Sequence, residues 1–143
     1  MNYIKYKAGY KYQLQEIHID QTDVKPDQYI HIDFISLSTQ GIITIQQWYA
    51  WDGPSGPTID TPEFMRGSLI HDALYQLMRG NYLDHKKYRK AADKTLRRIC
   101  IEDKMSFFRA WYVYYGVRKF ADFASEPSDR KKAIFAPSNF EAI

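Results

Sequence analysis

The chain reads as an α+β domain: a small antiparallel sheet of about three strands, then an antiparallel helix hairpin and a third packing helix. The main observation is a single change of hydrophobic period. Residues 8–49 tend to alternate apolar and polar side chains and are rich in β-branched and aromatic types, whereas residues 62–124 repeat with a helical period. Between them, residues 51–60 form a Gly/Pro-rich loop. Strands gathered ahead of helices in this order predict an α+β architecture.

Taken in order, the first period-two run is Tyr10-Lys-Tyr-Gln-Leu-Gln-Glu-Ile-His-Ile19, and Lys25-Pro-Asp-Gln28 supplies the loop after it. Tyr29–Leu37 alternates in part, and Ile42–Trp48 follows a Ser-Thr-Gln-Gly turn in which Gly41 is placed to take the positive φ of a tight hairpin. His18 and His31 fall in these strands without a third partner nearby, so each is expected to face solvent or a neighbouring strand. Thr61 followed by Pro62 marks a helix start, because proline is tolerated where the N–H lacks a partner, and Gly80-Asn81 marks its stop. The first helix therefore spans about Pro62–Arg79. The second spans about Asp84–Ile101, with Tyr88, Ala92, Leu96, Ile99 and Cys100 on one face. The third runs from a Ser106 cap to about Ala124 and carries Phe107, Trp111, Tyr114, Tyr115 and Phe120. Residues 1–125 form one domain on this reading, and residues 126–143 a C-terminal tail or arm with Phe135 and Phe140 available to dock.

Size permits such a domain to stand without staples, since a chain of 143 residues buries about 70% of its unfolded surface. Aromatic residues make up 16% of it, giving a core with bulk and a polar rim of hydroxyls and indoles that need partners when buried. The one cysteine, Cys100, forms no internal disulfide and belongs to no Cys/His cluster of the zinc type, and its apolar helix predicts a buried structural thiol. With 20 basic and 17 acidic residues the net charge is +3, too balanced for a dedicated nucleic-acid binder. The basic runs Lys86–Lys90, Arg97-Arg98 and Arg130–Lys132 read as solvated helix faces or as a phosphate-facing surface. No apolar leader and no stretch of about 20 apolar residues is present in the sequence, so no signal peptide and no transmembrane segment is expected.

The chemistry concentrates in Tyr49-Ala-Trp-Asp-Gly-Pro-Ser-Gly-Pro57, Ser68-Leu-Ile-His-Asp-Ala-Leu-Tyr75 and Asp93. His71, Leu74, Tyr75 and Met78 share one helical face, so His71 looks inward, while Asp72 projects about 100° away. His71 and Asp93 each lie eleven residues from Tyr82, which sets them at one level of an antiparallel hairpin. At interaxial distances of about 8–10 Å such side chains meet. Asp93 can then accept a hydrogen bond from one ring nitrogen of His71, fixing the tautomer and raising the basicity of the other. Asp72 points toward the loop, where Gly53 and Gly56 permit carbonyls to turn inward as an oxygen-rich set suited to Ca²⁺. Prolines beside glycines are equally ordinary turn chemistry.

A glycine-rich loop, His-Asp-x-x-Tyr on a helix and a second aspartate on its antiparallel partner resemble the phospholipase A2 enzymes over Trp51 to about Arg97. The disulfide-free parvoviral type is nearest, matched by Gly53-Pro-Ser-Gly56, His71-Asp72 and Ala92-Asp93. The resemblance implies that His71 is the general base, that Asp93 orients it and that Tyr75 braces the pair. It further implies that Asp72 with loop carbonyls near Gly53, Ser55 and Gly56 binds Ca²⁺. The loop departs from the usual Tyr-x-Gly-x-Gly order, and the preceding strands are foreign to that family. Over its whole length, through Trp51-Asp-Gly-Pro-Ser-Gly-Pro57, Ile70-His-Asp-Ala-Leu-Tyr75 and Tyr114-Tyr-Gly-Val-Arg118, the chain is similar to a bacteriophage protein family of no assigned function. That similarity implies synthesis in the host cytoplasm, other phage proteins as partners, and a possible place in the virion.

Two functions of different classes follow. One is a Ca²⁺-dependent hydrolase of phospholipid or another ester, with His71 activating water. The other is a phage virion or accessory protein in which His71, Asp72 and Asp93 brace the hairpin. A His-Asp phosphohydrolase would need an upstream helical histidine, and only the strand residues His18 and His31 lie upstream. No specific nucleic-acid pattern accompanies the aromatic, basic helix.

Overall fold

The computed structural model of the chain describes residues 3–7, 12–53 and 61–120. Among these described residues, seven short strands precede three helices: β1 (Tyr6–Lys7), β2 (Tyr12–Leu14), β3 (His18–Gln21), β4 (Ile30–His31), β5 (Ile35–Leu37), β6 (Ile42–Ile45), β7 (Ala50–Trp51), α1 (Pro62–Arg79), α2 (His85–Glu102) and α3 (Phe107–Phe120). The α+β class and the hairpin with its third helix are as the periodicity predicts. The strands are shorter and more numerous, and they form two antiparallel sheets of order β1-β2-β7 and β3-β6-β5-β4.

Two local events split the long runs. Between Leu14 and His18 the chain leaves one sheet for the other, with Leu14 N–H bonded to Tyr49 C=O at 2.8 Å and Gln15 N–H to Lys5 C=O at 2.6 Å. The last run breaks at Trp48, whose φ of +78° turns the chain out of the four-stranded sheet and into β7. Gly41 adopts φ +87° in the β5–β6 hairpin, and a Cβ there would stand 2.7 Å from the Thr22 carbonyl oxygen. Only glycine meets both conditions.

His18 does not face solvent but lies buried. The β3 side chains alternate with His18 and Asp20 inward, while Ile19 on the other face is 56% exposed. His31 does lie at the surface, stacked on Tyr29. The inward polar pair on β3 is tolerated because a buried arginine from α1 meets it, as described below.

Helix limits follow from end chemistry. α1 starts at Pro62 with Glu63 in its first turn, and Thr61 makes no side-chain cap. Its stop is made by Asn81 rather than Gly80: Asn81 has φ +63°, with Asn81 N–H on Met78 C=O at 3.0 Å and Tyr82 N–H on Leu77 C=O at 2.9 Å. Those paired bonds are the Schellman arrangement that satisfies the last carbonyls. The Asp84 side chain caps α2 by accepting from Lys86 N–H, and Ser106 caps α3 by accepting from Arg109 N–H. The structure ends its account of α3 at Phe120, so the expected extension to Ala124 and the tail at 126–143 lie outside the described residues.

α1 is buried on nearly every side. Its Leu69, Ile70, Leu74, Leu77 and Met78 join Leu14, Val24, Ile35, Leu37, Ile43 and Ile45 of the sheet layer in one core. A second, smaller core of Phe64, Leu96, Cys100, Met105, Ala110 and Val113 seats α3 against α2. Gly67 is where α1 and α2 approach closely: an added Cβ would stand 2.9 Å from Leu96 Cδ1 and 3.0 Å from Cys100 Sγ. One turn further along that contact lie His71 and Asp93.

Candidate active site

All three helices contribute to one buried cluster. His71 and Tyr75 come from α1, Asp93 from α2 and Arg118 from α3. His71 Nε2 donates to Asp93 Oδ1 at 2.7 Å, and the Tyr75 hydroxyl donates to the same oxygen at 2.5 Å. Their rings lie 4.1 Å apart between centroids, as the i, i+4 spacing dictates. Arg118 Nη1 donates to Oδ2 at 3.0 Å. Arg89 Nη1 stands 3.8 Å from Oδ2 and donates to the Arg118 carbonyl at 3.2 Å.

Asp93 is fully buried. Burial works to raise its pKa, but the hydrogen bond and charge of His71 and the hydrogen bonds from Tyr75 and Arg118 hold the carboxyl below its ordinary value. Tyr75 is pushed upward by burial and by the Asp93 charge, so it stays a neutral donor. An ionised carboxylate only accepts, which places the neutral imidazole proton on Nε2 and leaves the Nδ1 lone pair as the basic position. Among the described residues, none hydrogen-bonds Nδ1.

Asp72 faces elsewhere, as the helical geometry requires. It is half-buried, close to Tyr49, whose hydroxyl donates to Gln76 Oε1 at 2.9 Å. Burial first, then the charges of Asp72 and Asp52, push the Tyr49 phenol upward. Trp51, at the loop entrance, is pinned to α1 by its indole N–H on Ser68 Oγ at 3.1 Å. Gly53 is buried with φ +82°. Ser55 and Gly56 lie outside the described residues. Among the described residues no three His, Cys, Asp or Glu side chains group to hold a metal ion. A cation near Asp72 would therefore depend on backbone carbonyls as well, and such an all-oxygen set matches the preference of Ca²⁺.

Sequence reasoning missed the arginines. Arg89 was legible, standing four residues before Asp93 on the same helix. Arg118 had no local signal, since its partner lies on another element. The other missed feature is a second buried cluster at the sheet–α1 junction. His18 Nε2 meets Asp20 Oδ2 at 2.9 Å, and Arg66 Nη1 donates to that oxygen at 2.5 Å. Arg66 also donates from Nη2 to Glu102 Oε2 at 2.9 Å and from Nε to Asp103 Oδ2 at 3.0 Å. Burial opposes the Asp20 charge, but His18 and Arg66 hold its carboxyl low. A surface groove of about 180 Å³, between Tyr3–Lys5 and Glu16–Ile19, lies beside His18 and away from His71. Cys100 is buried, and that burial, with the Asp103 charge, pushes its thiol up to about 12, as an inert structural cysteine requires.

Comparison of the chain with protein-family models, with curated proteins and with solved structures finds no match. No helix among the described residues is long and apolar enough to cross a membrane.

Proposed function

We propose that the chain is a phage-encoded, Ca²⁺-dependent hydrolase of phospholipid esters with His71 as its general base. The observation that carries this reading is the 2.7 Å hydrogen bond from His71 Nε2 to a fully buried, ionised Asp93. It fixes the ring and leaves Nδ1 as the basic atom. A water at Nδ1 loses a proton to the imidazole as its oxygen attacks the ester carbonyl carbon. Asp93 stabilises the resulting imidazolium, and Tyr75 and Arg118 keep that carboxylate from turning away. Collapse of the tetrahedral species breaks the bond to the alcohol oxygen, which takes the proton back from Nδ1. The products are a fatty acid and a lysophospholipid. The chemistry Ca²⁺ supplies when held by Asp72 and the carbonyls of Gly53, Ser55 and Gly56 is positive charge for the developing oxyanion.

A second reading, a virion or accessory protein braced by its buried polar clusters, is favoured by the His18–Asp20–Arg66 cluster. It repeats the same three residue types, His, Asp and Arg, at another junction. The discriminating measurement is Ca²⁺ calorimetry on wild type and Asp72→Ala, with fatty-acid release from mixed phospholipid micelles by wild type and His71→Ala. Hydrolase chemistry predicts binding lost in the first variant and turnover lowered at least ~100-fold in the second. Neither binding nor turnover in wild type, with lowered melting temperatures in both variants, would leave the brace and its phage protein partners as the function.

A further inference from the structure

We propose that the outer face of α3, with the adjoining edge of α2, docks the protein on an anionic phospholipid surface. This rests on the hydrolase reading above for its substrate and extends it to the physical form in which that substrate is met.

Two parallel rows carry the argument. Phe108, Tyr112 and Tyr115 recur at i, i+4 and i+7 on α3 and are 85%, 61% and 60% exposed. Phe107, itself exposed, and Trp111 join them side by side, with Phe107–Trp111 centroids at 5.8 Å and Trp111–Tyr115 centroids at 5.6 Å. Isolated exposed aromatics are ordinary, but a continuous row along one helix is not. On α2, Lys90, Lys94 and Arg97 share a face by the same i, i+4, i+7 spacing. Arg97 fixes where that face lies, because its guanidinium sits 4.1 Å from the Trp111 ring and 4.3 Å from the Tyr114 ring. A row of cations therefore runs beside a row of rings, and residues 104–120 contain no acidic residue.

The charge pattern selects the occupant. Rings that enter the headgroup boundary beside cations that meet lipid phosphates are the two attractions of an interfacial helix. A second copy would bring lysines against lysines. Single-stranded nucleic acid needs open ring faces on which to stack bases. Here Phe107 and Phe108 meet edge-on at 80°, Phe107 and Trp111 at 53°, and Trp111 is already covered by Arg97.

The test is flotation of the full chain with vesicles of phosphatidylcholine alone and of phosphatidylcholine mixed with phosphatidylglycerol. Fatty-acid release from vesicles and from a short-chain phospholipid below its micelle concentration is measured alongside. Wild type binds the anionic vesicles. Phe108→Ser/Tyr112→Ser/Tyr115→Ser and, separately, Lys90→Glu/Lys94→Glu lose binding ~10-fold or more, with release from the monomeric ester unchanged. His71→Ala binds vesicles as wild type does while its turnover falls, and wild type that binds vesicles but releases no fatty acid from either substrate overturns the hydrolase reading alone. Equal flotation of wild type and both surface variants overturns the docking proposal. So does absence of vesicle binding together with stripe-dependent dimerisation in sedimentation, or with stripe-dependent binding of a single-stranded oligonucleotide.

Discussion

Both oxygens of the Asp93 carboxylate are engaged, and the four groups around it come from three helices. His71 and Tyr75 share Oδ1, Arg118 takes Oδ2, and Arg89 stands behind it. Removing the charge leaves Arg118 facing an amide, although its side chain is 28% exposed and can turn toward water. Asp93→Asn is therefore expected to cost about 3 kcal/mol, the lower end for breaking a buried ion pair. Because the folded carboxyl lies below its ordinary value, its stabilisation is present at neutral pH. It is lost as pH falls below about 4 toward the folded value. Urea unfolding of wild type and Asp93→Asn between pH 3 and pH 7 should show a constant gap above pH 5 that narrows below pH 4. A gap that holds to pH 3 would place the stabilisation in shape rather than charge. The His71–Asp93 contact was legible because one turn sets both residues at one level, and Tyr75 because it follows His71 by four. Arg118 was not, since no sequence period links a third helix to its partner's carboxylate. His18 was misjudged because isoleucines flank it, and alternation alone does not say which of two faces holds a satisfied charge.

At the scale of elements, the helices were legible and the strands only in outline. Proline at the start of α1, Asp84 before α2 and Ser106 before α3 are local signals that act within one turn. The strand breaks depend on exchange between sheets and on a left-handed Trp48, for which the residue itself gives no cue. Two glycines separate helix propensity from helix packing. Alanine at Gly116 meets nothing within 4 Å, so Gly116→Ala should raise stability by about 0.5–1 kcal/mol. The same change at Gly67 meets Leu96, itself fully packed, and Cys100, so overpacking of about 1–3 kcal/mol exceeds the propensity gain. Opposite shifts of the urea midpoint check the pair. A stabilised Gly67→Ala would show that the α1–α2 contact can widen without cost, and then the 2.7 Å bond at the next turn should lengthen as well.

Across the whole molecule, polar clusters occupy the junctions between layers. One joins the three helices around Asp93, and the other joins β3, α1 and the end of α2 around Arg66. The Arg66 side chain is 4% exposed and bonds Asp20, Glu102 and Asp103, carboxylates separated by about 80 residues of chain. Arg66→Met leaves the buried Asp20 carboxylate without its guanidinium partner and is expected to cost about 3–5 kcal/mol. Asp20→Asn in the same chain removes the stranded charge, so the double variant should recover part of that loss, a coupling of about 1–3 kcal/mol. The cycle is read from urea unfolding of wild type, both single variants and the double variant, and additive losses would show that the two side chains do not act as a unit. The same variants separate brace from catalyst. Since Arg66 bonds Asp20, Glu102 and Asp103 and, among the described residues, makes no hydrogen bond to the His71 cluster, fatty-acid release per folded molecule should stay at the wild-type level in Arg66→Met, assayed well below its melting temperature. A fall in that release matching the one in His71→Ala would mean that the two clusters act as one.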